Sequence, residues 1–516
     1  MPGLVISVLL FCRSFFILCV WVYRASVSEA GIPVISNTHY LTVALSDHRH
    51  LSYRNKIIFL TVEQTSTRPW SPTSWQSFPV KQLPEYEDQK LLMQVYKELK
   101  SYPPLVNSWE IEDLRDQLAG VTRGEAFLLQ GGDCAEVFDN CNAPQTVNLL
   151  KVLLQMSFIL IHEMNIPVIR VGRIAGQYAK PRSKPVENIA GQELPSYRGD
   201  LFNKYDPDES ARISNPKRLL EGYKLSALTL NFIRSLTEGK GFANMNHPEY
   251  WELDFMRRNK YYKEYESMVR SITNAVKFVE TVSNHRIDAM RQVRIHTSHE
   301  ALNLFYDSAQ TQQVPHNKGW YNLSTHMPWL GNRTRELDGA HVEYFRGIRN
   351  PVGIKVGPPF KSDEIVRLIE KLNPENTEGK ITLITRMGKD NVAPMLPGLI
   401  RAVNKAGLNV IWSCDPMHGN TYATDDDIKT RSFNDILAEI KQTFEVHRNE
   451  GTFLGGVHLE LTGDNVTECV GGANGLKAEG LKRNYKTFCD PRLNYQQSLE
   501  MAFLITREWK ATWKER

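Results

Sequence analysis

Short apolar runs along this chain keep ending in glycine, arginine, lysine, histidine or glutamate, residues that a packed interior would not select. Eight such run-ends occur. Four are Ala126-Phe127-Leu128-Leu129-Gln130 into Gly131-Gly132-Asp133-Cys134, Pro167-Val168-Ile169-Arg170-Val171 into Gly172-Arg173, Val293-Arg294-Ile295 into His296-Thr297-Ser298-His299-Glu300, and His341-Val342-Glu343-Tyr344-Phe345 into Arg346-Gly347. The other four are Gly353-Ile354 into Lys355-Val356-Gly357-Pro358, Ile381-Thr382-Leu383-Ile384-Thr385 into Arg386-Met387-Gly388, the run from Leu408 to Ile411 into Trp412-Ser413-Cys414-Asp415-Pro416-Met417-His418, and Gly456-Val457-His458-Leu459 into Glu460-Leu461-Thr462-Gly463. Eight strands with chemistry at their C-terminal ends predict an α/β fold, a (β/α)8 TIM barrel with its active site on that rim. The chain reads as an enzyme.

Residues 70–516 suffice for such a barrel as one catalytic unit. Leu91, Leu92, Val95, Tyr96 and Leu99 recur at helical spacing and predict an amphipathic helix ahead of the first strand. Between Arg182 and Gln292 lie helical runs at Pro216 to Leu236 and Tyr262 to Val282. That interval exceeds an ordinary connection, so a helical insertion is expected over about 184–290. Asn494 to Trp509 reads as a last amphipathic helix, with Leu499, Ala502, Leu504 and Ile505 able to seal the barrel.

Residues 1–69 stand apart as leader or linker. Leu4 to Val22 is nearly all apolar and Ser28-Glu29-Ala30 has the form of a signal-peptidase site, so a signal or a membrane anchor is open if the segment is retained. Against secretion, Asn332-Arg333-Thr334 and Asn465-Val466-Thr467 are glycosylation sequons beside residues assigned below to the site, where a glycan would block access. The seven cysteines are scattered, odd in number and free of CxxC spacing, which argues against a disulfide framework and fits a reducing compartment. The expected location is intracellular, cytoplasmic or organellar. A net charge of +4 is too small to imply a nucleic-acid partner.

Cys134, His418, Glu460 and Asp490 come from three strand ends and a loop, and a barrel would bring them to one rim. A thiolate, an imidazole and two carboxylates suit a divalent first-row ion with open positions; manganese, cobalt, iron and zinc all fit. Singly, each has an ordinary reading, since a free cysteine packs as a small hydrophobe and a strand-end histidine is commonly just hydrogen-bonded. Arg173, Lys180, Arg182, Arg333, Lys355 and Arg386 also fall at or just after strand ends. Most lysines and arginines are solvated surface charges, but Lys355 and Arg386 interrupt or close apolar strands, where a cation needs an anionic partner. No GxxxxGK[ST] or strand-coupled GxGxxG occurs; Gly471-Gly472-Ala473-Asn474-Gly475 lacks both spacing and context. A pyridoxal-phosphate lysine at Lys355 would leave the metal-type residues unexplained.

Several longer blocks resemble the type II (plant-like) 3-deoxy-D-arabino-heptulosonate 7-phosphate (DAHP) synthases. They include Leu129-Gln130-Gly131-Gly132-Asp133-Cys134-Ala135-Glu136, Arg170-Val171-Gly172-Arg173-Ile174-Ala175-Gly176-Gln177-Tyr178-Ala179-Lys180-Pro181-Arg182-Ser183, Thr297-Ser298-His299-Glu300, Asp415-Pro416-Met417-His418-Gly419-Asn420 and His458-Leu459-Glu460-Leu461-Thr462-Gly463. The resemblance runs from about Trp70 to the C-terminus. It implies condensation of phosphoenolpyruvate with erythrose 4-phosphate, the first step of the shikimate pathway, and a homodimer or higher homo-oligomer. It implies metal ligation by Cys134, His418, Glu460 and Asp490, with manganese first among the candidate ions. Phosphoenolpyruvate would be held by Arg173, Asn332, Arg333, Lys355 and Arg386, with Lys355 and Arg173 at the chemistry, and the aldose phosphate by Lys180, Arg182 and Ser183. Asn332 departs from the acidic residue usual there. Two alternatives follow: a diverged paralogue taking an amino-sugar or other aldose phosphate, and a non-catalytic regulatory paralogue.

Overall fold

Eight parallel strands form one closed wall in the computed structural model, which describes residues 5–12, 15–22, 24–27, 33–36 and 69–516 apart from 190, 239–259, 284–292 and 514–516. The strands are β1 (Phe127–Gly132), β2 (Val168–Arg173), β3 (His296–Thr297), β4 (Trp329–Leu330), β5 (Val352–Val356), β6 (Ile381–Thr385), β7 (Ile411–Cys414) and β8 (Gly456–Glu460). Each pairs with its sequence neighbour, and β8 returns to β1 with His458 opposite Gln130 and Glu460 opposite Gly132. The ring closes between β3 and β4 through Met327 N–H to Thr297 O, Trp329 N–H to His299 O and Ala301 N–H to Trp329 O, at 3.0–3.2 Å. Strands buried on both faces explain why these runs show continuous Ile, Leu and Val rather than alternation.

The fourth strand corrects the sequence reading. His341-Val342-Glu343-Tyr344-Phe345 is helical, within Ala340–Phe345, and all six residues of that helix are buried. A helix buried on every side loses its period and imitates a strand. The true strand, Trp329–Leu330, follows Pro328 and is two residues long, too short to register as a run. It delivers Gly331, Asn332 and Arg333 to the rim.

Outside the wall, Ala143–Met164 follows β1. Asn142 caps its first turn by accepting Gln145 N–H at 3.2 Å, and Asn165 ends it in the left-handed conformation. Ser362–Leu372, Val392–Lys405 and Phe433–Asn449 follow β5, β6 and β7. The final helix, Tyr495–Trp513, packs between Ala143–Met164 and Phe433–Asn449 and belongs to the outer ring. The barrel floor is sealed instead by Ser108–Thr122, whose Leu114, Leu118 and Val121 meet Leu128, Ile169, Val171 and Ile411. The expected leading helix is Gln89–Ser101.

The insertion after β2 is not helical from its start. It opens with an antiparallel hairpin, Val186–Ile189 against Gln192–Pro195, before the helices Lys217–Thr237 and Tyr262–Ser283. The chain divides into compact units at Trp70. In the first, two antiparallel ribbons are described, Val5–Cys12 with Phe15–Val22 and Arg24–Val27 with Pro33–Ser36. The signal-peptidase-like Ser28-Glu29-Ala30 lies outside the described residues.

Candidate active site

The C-terminal ends of the strands surround a cavity of about 580 Å3. Cys134 arrives just past β1 and Glu460 ends β8. His418 sits in a single turn after β7, and Asp490 comes from the loop between β8 and the last helix. One ligand atom each from Cys134, Glu460 and Asp490 fall within 4.8 Å of one another. His418 Nε2 lies 3.0 Å from Glu460 Oε1, while its Nδ1 lies 2.7 Å from Asp415 Oδ2. Nδ1–H donation to Asp415 aims Nε2 at the cluster, where a divalent ion would replace the proton that Nε2 shares with Glu460, the orientation a metal-binding imidazole needs. One sulfur, one imidazole nitrogen and two carboxylates therefore fit a divalent ion here.

The cluster is strongly electrostatic. Lys180 Nζ lies 2.7 Å from Cys134 Sγ, 2.6 Å from Asp490 Oδ2 and 3.7 Å from Glu460 Oε1. Lys180 thus turns into the donor cluster, whereas Arg182 and Ser183 stay at the mouth. Burial opposes ionisation of Glu460, yet His418, Lys180, Arg431 and Arg173 hold its carboxyl well below the usual range. Burial likewise pushes the Cys134 thiol up, aided by Cys489 and Glu460.

Arg173 ends β2 with its fork fixed inside the barrel. Its Nη2 donates to Glu460 Oε1 at 3.1 Å and to Cys134 O at 3.0 Å, and its guanidinium lies 5.1 Å from the Trp329 ring centroid. Nη1 lies 2.6 Å from His458 Nε2, and His458 Nδ1 lies 2.8 Å from Gln130 Oε1. Burial, then Lys355 and Arg173, hold His458 well below its ordinary pKa, so this neutral ring accepts from Arg173 and donates to Gln130. The close approach of β1 to β2 needs glycine at 132: its φ is +146°, and a Cβ there would lie 2.5 Å from Arg173 O.

Lys355 is buried at the end of β5 and paired with Asp415; burial nonetheless pushes its ammonium down to about 8. Arg386 donates Nη2 to His418 O at 3.3 Å and leaves Nε without a partner in the described structure. Arg333 is exposed and reaches Ser183 Oγ at 2.7 Å, joining the two sets of phosphate-type residues. Arg182 pairs with Glu187 of the insertion hairpin. Asn332 faces the cavity, but its Oδ1 accepts Gly357 N–H at 2.9 Å and Arg335 Nε–H at 3.1 Å. Asn465, by contrast, lines a separate groove.

Two residues escaped the sequence reading. Glu300 lines the cavity with Oε1 unpartnered, and burial raises its carboxyl although Lys180 and Lys355 oppose the shift. Gly331 leaves it room, since a Cβ there would lie 2.0 Å from Glu300 Oε1. The block Thr297-Ser298-His299-Glu300 was the available signal. Arg431 is fully buried, donates Nη1 to Glu460 Oε2 at 2.7 Å and also binds Pro491 O beside Asp490. In sequence, Lys429-Thr430-Arg431 looks like solvated charge, so nothing marked it.

The model of the class-II DAHP synthetase family matches residues 70–506. A protein of Neurospora crassa named phospho-2-dehydro-3-deoxyheptonate aldolase is 46% identical over 463 residues, covering 87% of this chain and 96% of that protein. One of the same name from Streptomyces coelicolor is 47% identical over 444 residues, covering 86% and 98%.

Proposed function

The chain belongs to the class-II DAHP synthetase family, and from that premise we propose that it condenses phosphoenolpyruvate with erythrose 4-phosphate and water to give DAHP and phosphate, the first step of the shikimate pathway. The observation that carries this reading is the convergence of Arg173, Lys355, Arg386 and Arg333 on one cavity beside the Cys134, His418, Glu460 and Asp490 donors. Two phosphates and a carboxylate account for the cations, and an aldehyde accounts for the metal-type set.

Cys134, His418, Glu460 and Asp490 would hold the ion, and Asp415 would orient His418. A divalent ion there supplies Lewis acidity toward the aldehyde oxygen. The carboxylates suit manganese, and the thiolate and imidazole suit iron, cobalt or zinc; reconstitution of chelated protein with each ion ranks them. Arg173, Lys355, Arg386 and Arg333 neutralise and orient phosphoenolpyruvate, so that its C3 faces the aldehyde carbon. Arg182 and Ser183 receive the aldose phosphate at the mouth. As the C–C bond forms, the aldehyde oxygen takes up a proton to become a hydroxyl, while C2 becomes electron-poor and water adds there. Glu300, an unpartnered carboxylate on the cavity wall, is suited to take that water's proton. The new C2 hydroxyl then gives up its proton as the C2–O bond to phosphate breaks, leaving the ketone and inorganic phosphate.

The test follows phosphoenolpyruvate loss and phosphate release after chelation, with and without added Mn2+ and erythrose 4-phosphate. Loss of both signals when either addition is omitted is expected. Condensation without phosphate release would mean a simple aldolase, and binding of phosphoenolpyruvate and Mn2+ with erythrose 4-phosphate inert would mean another acceptor. Asn332 heads a sequon inside the cavity, which supports an intracellular, cytoplasmic or organellar site of action. A homodimer or larger assembly is expected on sizing.

A further inference from the structure

A carboxylate outside the cavity ties two of its walls together. Glu439 lies on the helix Phe433–Asn449 and is 1% exposed. Its Oε1 accepts the main-chain N–H of Met387 at 2.9 Å and of Gly388 at 3.0 Å, and its Oε2 accepts Asn420 Nδ2–H at 2.7 Å. Met387 and Gly388 directly follow Arg386; Asn420 completes the turn that begins at His418. The two turns also meet glycine to glycine. A Cβ on Gly388 would lie 2.8 Å from Gly419 O, and one on Gly419 would lie 2.3 Å from Gly388 N. Asn420 is held from its other side as well, since its Oδ1 accepts Lys389 N–H at 3.1 Å and its Nδ2 donates to Pro416 O at 2.8 Å.

We propose that Glu439 is a positioning residue that locks the Arg386 turn and the His418 turn into one unit, fixing the spacing between a phosphoenolpyruvate cation and a metal ligand. The inference rests on the roles given above to Arg386 and His418. Among the described residues the Glu439 carboxylate hydrogen-bonds to Met387 N, Gly388 N and the Asn420 side chain, all just past Arg386 and His418, so it acts through the turns that carry them. It bridges β6 and β7 and leaves the aldose-phosphate side of the cavity alone. Its loss therefore reaches metal and phosphoenolpyruvate together.

Glu439→Gln is the sharp perturbation. Glutamine cannot serve both turns: with Oε1 on Met387 and Gly388 its Nε2 meets Asn420 Nδ2 donor to donor, and turned over its Nε2 meets both main-chain N–H groups, so either rotamer drives the Arg386 and His418 turns apart. Asn420 cannot flip to answer it without losing both Lys389 and Pro416. In the full-length protein, Mn2+ and phosphoenolpyruvate affinities are measured by direct titration, alongside the KM for erythrose 4-phosphate. The expected result is about 10-fold weaker binding of each titrated ligand, the usual reach of a group behind a metal ligand, with the erythrose 4-phosphate KM within about twofold. Asn420→Ala, which frees the His418 turn and Lys389 N–H but keeps Glu439 on Met387 and Gly388, should weaken Mn2+ more than phosphoenolpyruvate; it also carries the test if E439Q does not fold. Wild-type Mn2+ affinity in N420A, wild-type affinities in E439Q, or equal loss across all three ligands would overturn the proposal. His418→Ala and Arg386→Ala serve as controls. If they lose Mn2+ and phosphoenolpyruvate respectively while E439Q is normal, only the clamp is wrong; if they bind normally, the reading of the site fails and takes the clamp with it.

Discussion

Asn332→Asp separates a missing catalytic base from a tolerated structural exchange. An amide cannot act as a base at neutral pH, so a carboxylate restored at a water-activating position would raise turnover by about 10-fold or more. The geometry argues for the other outcome. Asn332 Oδ1 already accepts from Gly357 N and Arg335 Nε, linking the end of β4 to the end of β5. An aspartate can keep both contacts; the Gly357 bond becomes charge-assisted, and the Arg335 bond, already made by a cation, becomes an ion pair. Hydrogen bonds to a charged group contribute about 1.5–3 kcal/mol against about 0.5–1.5 kcal/mol for neutral ones. Arg335 is half-buried and its guanidinium is pulled below its ordinary pKa by burial, with Glu364 and Glu336 opposing only from a distance, so it gains a carboxylate at hydrogen-bond range. Discounted for solvent at the cavity rim, the net stabilisation should be about 1 kcal/mol. Denaturant titration reads that gain, and steady-state kinetics should show turnover within about threefold of wild type. A 10-fold rise in turnover would refute the reasoning and make the position catalytic. A drop in stability would show that Oδ1 is not the atom making these contacts.

His418→Ala and Glu460→Ala should differ, although both remove a metal ligand. His418 leaves Asp415 still paired with Lys355, so the fold should persist with Mn2+ retention lost, whereas Glu460 leaves Arg173 and Arg431 as buried unpaired cations and should cost about 3–5 kcal/mol as well; equal melting of the two variants would contradict this. Lys355, held near 8, is a cation below that pH and loses its proton above it, so kcat/KM for phosphoenolpyruvate should fall about 10-fold per unit on the alkaline side, and Lys355→Arg should flatten that limb if it is active. Burial pushes His296, His326 and His447 down to about 3 and His341 to about 4. The unfolded chain therefore takes up protons below about 6.5 that the fold refuses, and stability should fall from pH 6.5 toward 4 by up to about 1.4 kcal/mol per unit for each histidine. A flat melting profile across that window would mean these rings are not buried and neutral.

Six of the eight barrel strands were legible because an interior strand must be apolar for several residues and polar at the rim, and β3, only His296–Thr297, was placed by the apolar run Val293-Arg294-Ile295 that leads into it. The eighth was not, since a two-residue strand after a proline carries no such run, and the fully buried helix at Ala340–Phe345 imitated one. The metal-type and cationic residues were legible wherever a charge interrupted a strand, as at Lys355 and Arg386. Arg431 was not, because its burial comes from the Thr421–Ala423 and Lys429–Arg431 hairpin folding over Glu460, a tertiary event without local trace. Lys180 shows a different limit: its presence at the site was legible, but its turn toward Cys134 depends on side-chain packing.

The wall is not knit evenly. Strand β3 is held by two register pairs to β2 and three hydrogen bonds to the β4 side, and β4 by two pairs to β5, so two adjacent strands are thinly held on both edges; β7 and β8 also share only two pairs, but four and five pairs anchor their other edges. Local opening costs least where the fewest bonds must break together, so the barrel should breathe along this seam first. Glu300 stands on one lip of it and Asn332 and Arg333 on the other. Amide exchange should find Met327, Trp329 and Ala301 to be the fastest of the wall, and the transient gap they report opens directly onto the unpartnered carboxylate and the one exposed arginine of the cavity.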